Sequence, residues 1–124
     1  MSTSSQTTYT AEQHRTSMRE AHEVSDHLVE LAPVPPQTCT IQTDSLAGWS
    51  GYGVNLYFQR PEDVAAFANR VGSLMVETTE ELGGEWSRKS EARGSLADVP
   101  FRAWFRRPVA QPEVKHLSEK QAAA

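Results

Sequence analysis

The stretch from Tyr52 to Leu82 constrains this chain most. Tyr52, Val54, Leu56 and Phe58 alternate with Gly53, Asn55, Tyr57 and Gln59. A two-residue apolar period is what a half-buried strand requires, because successive side chains point to opposite faces of a sheet. Arg60-Pro61-Glu62-Asp63 follows. Proline suits the first helical position, where its missing N–H costs nothing, and the two acids complement the positive end of the helix dipole. Val64, Phe67, Ala68, Val71, Leu74, Met75, Thr78 and Leu82 then recur at three- and four-residue spacings. That pattern predicts one long amphipathic helix over 61–82, stopped by Gly83-Gly84.

Upstream, Thr10 and Gln13 have the spacing of a capping box, which predicts a helix starting there. Met18, Ala21, Val24, Leu28 and Leu31 supply its thin apolar stripe. The stripe leaves three outcomes open: docking on the core, pairing with a second copy, or forming on binding. The helix ends before Ala32-Pro33-Val34-Pro35-Pro36, a stiff extended connector.

Cys39, Ile41 and Thr43 alternate with polar neighbours and predict a short strand over about 38–44. The turn Ser45–Gly51, with Leu46 and Trp49 in it, would make a hairpin with the strand at 52. Asn55-Leu-Tyr-Phe-Gln59 also resembles the recognition site of a plant-virus protease, but Val54 and Arg60 depart from it and the residues serve a strand.

Glu85 to Leu96 reads as a weakly alternating strand, and Ala97-Asp98 as a tight turn. In the last strand Val99, Phe101, Ala103 and Phe105 make a clean apolar face, with Pro100, Arg102, Trp104 and Arg106 opposite. Pro100 implies an edge position or the first residues of a strand. The expectation is therefore an α+β fold: a small antiparallel sheet of about four strands in the order β-β-α-β-β, one long helix across one face, and an additional N-terminal helix. Residues 1–9 read as a polar disordered tail, 10–32 as the first helix, 33–37 as a proline-rich linker, 38–107 as the α+β domain and 108–124 as a flexible tail.

Composition limits function. A net charge of −4 and an isoelectric point near 5.5 argue against a surface built wholly for nucleic acid. The single cysteine excludes an intramolecular disulfide and a cysteine-based zinc site, which fits a reducing cytoplasm. The opening residues carry no basic and no apolar region, so no signal peptide is read, and no apolar run is long enough to span a membrane. Arginine outnumbers lysine and alanine is frequent, which matches the codon bias of GC-rich bacteria and their phages.

The residues that could carry chemistry do not assemble into a motif. His22 and His27 are five apart, one residue out of the spacing that stacks two histidines for zinc, and His14 and His116 stand alone. Cys39 would be a nucleophile only beside a histidine in space, and a small buried hydrophobe is the commoner role. Glu77, Glu80 and Glu81 would share one side of the predicted helix, where they could hold a cation or serve acid–base work, though a solvated acidic face is the commoner role. No glycine pattern cradles phosphate and no Gly-x-Ser-x-Gly occurs. No cofactor, metal or small-molecule substrate is implied, and the chain reads as a non-enzyme.

One feature rises above this background. Between Glu85 and Arg107, six bases (Arg88, Lys89, Arg93, Arg102, Arg106 and Arg107) stand against three acids (Glu85, Glu91 and Asp98). The outer face of the last strand shows Arg102, Trp104 and Arg106 in a row. Such a face can grip a protein, since tryptophan and arginine lead the residue types at binding hot spots. It can also contact phosphates and stack on bases, or Trp104 can simply be covered by packing. The expectation is a non-catalytic cytoplasmic module acting by protein contact or self-association, with the surface Arg93, Arg102, Trp104 and Arg106. The alternative is an accessory nucleic-acid binder using the same four residues, and a third reading is an enzyme site around Cys39, Tyr52 and Tyr57.

Overall fold

The structure is a computed structural model, and it describes residues 10–43 and 51–111. Residues 1–9, 44–50 and 112–124 lie outside the described residues, and with them most of the expected Ser45–Gly51 turn, including Leu46 and Trp49, and His116. The elements run α1 (Ala11–Leu31), β1 (Thr38–Thr43), β2 (Tyr52–Tyr57), α2 (Pro61–Val71), β3 (Met75–Leu82), β4 (Glu85–Leu96) and β5 (Val99–Pro108). The five strands form one sheet in the order β1-β2-β5-β4-β3.

The sheet is mixed, not purely antiparallel. β1 pairs antiparallel to β2, and β3–β4 and β4–β5 are antiparallel, but β2 and β5 run parallel, with Val54 opposite Phe101 and Tyr57 opposite Trp104. Phe58 carries this ladder one residue further, donating its N–H to the Trp104 carbonyl at 2.9 Å. The parallel pair exists because β5 enters between β2 and β4. Strand pairing at that distance along the chain leaves no local mark in the residues, so the reading of a four-stranded antiparallel sheet gives way.

The long predicted helix is also corrected. α2 has the expected opening, with Pro61 in its first turn beside Glu62 and Asp63, but it ends at Gly72 after 11 residues. Gly72 adopts φ +76, donates its N–H to Ala68 O, and is joined there by Ser73 N–H at 2.8 Å. A left-handed glycine that closes the last carbonyls is a strong helix stop. Met75 to Leu82 is instead a strand, β3, every residue of which is paired with β4. Val76, Thr78 and Thr79 suit a pleated sheet, whereas Met75, Thr78 and Leu82 matched helical spacing by coincidence. Gly83 and Gly84 do not end a helix. With φ +60 and +85 they form the two-residue turn of the β3–β4 hairpin, where both central residues need positive φ.

Other expectations meet the structure directly. The capping box at α1 is present in both directions, Gln13 N–H to Thr10 Oγ1 and Thr10 N–H to Gln13 Oε1. β4 covers Glu85–Leu96. Ala97 and Asp98 make the turn into β5 with φ +50 and +64. Pro100 is near the start of an inner strand, so the alternative of an edge position is set aside.

Both helices lie on one face of the sheet. α1 crosses β1, β2 and β5, and α2 crosses β5, β4 and β3. Between the layers, Ala21, Val24 and Leu28 of α1 and Val64, Phe67 and Ala68 of α2 form one core with Val54, Leu56, Phe58, Ala92, Phe101 and Ala103. Leu28, Leu56, Phe58, Val64 and Phe67 are fully buried. Phe67 joins the two halves, with ring centres 5.6 Å from Phe58 and 5.7 Å from Phe101. α1 therefore belongs to the core layer, and the second of its three open outcomes is not needed to bury its stripe. No described helix is long and apolar enough to cross a membrane.

Candidate functional site: the open face of the sheet

Because both helices occupy one face, alternation along each strand delivers the other set of side chains to a face that no described element covers. The registers place Asn55 and Tyr57 of β2, Arg102, Trp104 and Arg106 of β5, Ser87, Lys89, Glu91 and Arg93 of β4, and Glu80 of β3 on it. All four of the predicted surface residues are on this face.

Trp104 sits at its centre. Its Nε1–H donates to Asn55 Oδ1 at 3.1 Å, and Tyr57 meets the indole edge-on, with centroids 4.8 Å apart and planes at 74°. The Arg102 guanidinium lies 4.3 Å from the indole centre and that of Arg106 lies 5.6 Å away. Cations over an indole gain about 0.5–2 kcal/mol each, according to how far water is excluded. Tyr57 Oη donates to Arg106 O at 3.3 Å, tying the same three residues together through the backbone.

Two carboxylates hold the cations in place. Glu91 accepts from Arg102 Nε, from Arg93 Nε at 3.1 Å, and lies 3.5 Å from Lys89 Nζ. Glu80 accepts from Arg106 Nη2 at 2.9 Å and lies 3.4 Å from Lys89. Lys89 thus links both acids into one network. Glu91 keeps only 14% of its side-chain surface. Burial works to raise its carboxyl, but the hydrogen bond and charge of Arg102, with the charges of Arg93 and Lys89, outweigh burial and hold it below its ordinary value.

At the open end of this face, a cleft of about 460 Å³ is lined by Tyr57, Leu82, Trp86, Trp104, Arg106 and Pro108, among others. Ser87 Oγ and Arg106 Nε are buried there without a hydrogen-bond partner among the described residues. An unmet buried donor costs about 1–3 kcal/mol, a cost that a water or a partner's acceptor can remove after a small side-chain shift.

The remaining sequence candidates disperse. Glu77, Glu80 and Glu81 do not share a helix face: Glu80 is on the open face, while Glu77 accepts from Ser90 Oγ at 3.2 Å and Glu81 alternates with Glu80. Cys39 is on edge strand β1 opposite Leu56, and Tyr57 is one residue further on, so their side chains leave on opposite faces. Tyr52 lies instead beside α1, with its N–H on Ser17 Oγ at 3.0 Å and its ring 6.0 Å from His14. Among the described residues no His, Cys, Asp or Glu group of three or more is gathered to hold a metal.

Sequence reasoning found the row on β5 and Arg93 of β4, but not the partners that surround them. Asn55, Tyr57, Glu80, Lys89 and Glu91 join it only through strand register, and the one local hint was the alternation of Asn55 and Tyr57 with the apolar residues of β2. No protein family, no curated protein and no solved structure matches this chain.

Proposed function

We propose that this chain is a non-catalytic protein-docking module whose binding surface is the open sheet face around Trp104. One observation carries this reading: the central strand presents a tryptophan between two arginines on a face left bare by both described helices. Tryptophan and arginine contribute most per residue at protein interfaces, and here they are already oriented, so little side-chain entropy remains to be lost on binding. The ion network supplies a polar rim, and the cleft beside Tyr57 and Trp86 supplies an apolar recess.

The nucleic-acid reading rests on four cations, Lys89, Arg93, Arg102 and Arg106, set against two carboxylates, Glu80 and Glu91. Protein docking is favoured because Arg102 and Arg106 are each engaged with a carboxylate, and Arg102 occupies a face of the indole on which a base would stack.

Quantitative affinity capture with wild type and Trp104→Ala, each shown folded by circular dichroism, tests the reading. A partner held by wild type and lost with Trp104→Ala is the expected result. Fluorescence anisotropy with single-stranded and duplex oligonucleotides at two salt concentrations tests the alternative. Binding that weakens steeply with salt and disappears with Arg102→Glu would transfer the face to nucleic acid.

A further inference from the structure

The two edges of the sheet differ in chemistry. An edge strand offers a row of unpaired backbone donors and acceptors, and charges on it discourage another strand from adding. β3, one edge, carries Glu77, Glu80 and Glu81, so a second copy added there would bring three glutamates of each chain to one seam. Pairing about Thr79, for example, would oppose Glu77 to Glu81. β1, the other edge, reads Thr38-Cys-Thr-Ile-Gln-Thr43, with no charge, no proline and four β-branched residues. Among the described residues nothing pairs with its outer side.

α1 lies above β1 and brings one carboxylate, Asp26, near it. Ser25 and Asp26 of α1 lie beside Cys39. The helical turn sets Met18 and Val29 on the same flank as Ser25, with the exposed His22 and Asp26 between them. Met18 is 40% exposed, and Val29 is only partly buried against the core. Apolar surface is thus available above the bare strand edge.

We infer that β1 is a self-association edge, at which a second copy of this chain adds its own β1 antiparallel about a two-fold axis through Thr40. The sheet then runs continuously through ten strands, with the four helices on one face. A two-fold axis perpendicular to the sheet keeps each face continuous, which only a residue-centred register allows. Thr40 faces Thr40 of the other copy. Cys39 faces Ile41 on the helix-bearing side and Thr38 faces Gln42 on the open side. Threonine pairs and apolar pairs across strands each favour the ladder, and β1 itself carries no charged residue to oppose it. Met18 and Val29 of the two α1 helices lie along the seam, with Asp26 of each copy between them. Thr38 and Thr40 adjoin the Trp104 face through Tyr57 and Asn55, but the ladder uses neither Trp104 nor its arginines, so it does not depend on that proposal.

Sedimentation of the full chain tests it. Wild type is expected to be a dimer that dissociates on dilution, and Trp104→Ala to remain one. Thr40→Lys, at an exposed position that leaves the core untouched, is expected to sediment as a folded monomer because it sets two ammonium groups against each other on the axis. In Cys39→Ser/Thr40→Cys, facing positions fall within the roughly 4.4–6.8 Å Cα spacing of a disulfide, so mild oxidation is expected to give a covalent dimer. A monomeric wild type across the micromolar range, or a Thr40→Lys variant that stays dimeric, would overturn the inference.

Discussion

The Arg102 guanidinium lies 4.3 Å from the centre of the Trp104 indole while its Nε donates to Glu91. One side chain therefore couples the aromatic centre of the open face to its acidic anchor. The first prediction concerns that anchor. Because the folded Glu91 carboxyl is lowered from 4.5, its contribution is complete above that value and is lost as the pH falls below it through the lowered value. Glu91→Gln is expected to cost about 1–3 kcal/mol at neutral pH, in the range of charge-assisted hydrogen bonds. It should also flatten the acid limb of a stability profile measured by urea denaturation. An unchanged acid limb would mean that Arg102 is held by Trp104 alone.

A second prediction lies in the core. A Cβ at Gly94 would come 2.7 Å from Phe101 Cζ and 2.8 Å from Ser73 Oγ. Ser73 can turn away, but Phe101 is pinned against Phe67. Gly94→Ala is expected to destabilise by about 1–3 kcal/mol, the usual cost of overpacking. Thermal melting measures it, and a neutral result would show that Phe101 has room to move.

The standing of α1 gives the third. Leu28 is fully buried between α1 and the sheet. Leu28→Ala should cost about 2–5 kcal/mol, as large-to-small changes in a packed core do. The loss should appear in one cooperative transition followed at both the helical and the tryptophan signal. Two separate transitions would make α1 an accessory to the sheet.

Cys39 supplies the fourth. The residue is exposed on its edge strand, yet its thiol end is shielded by α1. Burial pushes the thiol up; the Ser25 hydrogen bond opposes this and the Asp26 charge adds to it. Alkylation at neutral pH should therefore be slower than for a free cysteine peptide and accelerate above pH 9.0, the ordinary value. Asp26→Asn is expected to speed the reaction modestly. Reaction as fast as the peptide would show that α1 does not shield the thiol.

What could be read along the chain was whatever a local period or a local cap encodes. The capping box at Thr10 and Gln13, the apolar alternation of β2 and β5, the Pro61 helix start and the Ala97-Asp98 turn all rest on neighbours within a few residues. The row Arg102, Trp104 and Arg106 was legible for the same reason. Where two periods fitted the same residues, the sequence could not arbitrate. Leu74, Met75, Thr78 and Leu82 satisfy a helix as well as a strand, and only pairing with β4 decides. Gly72 was the overlooked local clue, because a left-handed glycine closes the helix before that ambiguity begins.

Tertiary structure alone decided the rest. Parallel pairing of β2 with β5 joins residues nearly fifty positions apart, a contact whose free energy comes from backbone ladder bonds and shared burial that carry no local signature. That pairing puts Asn55 and Tyr57 beside Trp104, and the β4 register brings Glu91 to Arg102. The sequence by itself determined which residues each strand shows to either side. The order of the strands determined which of those residues meet, because a side chain acquires its partners only when the sheet is assembled.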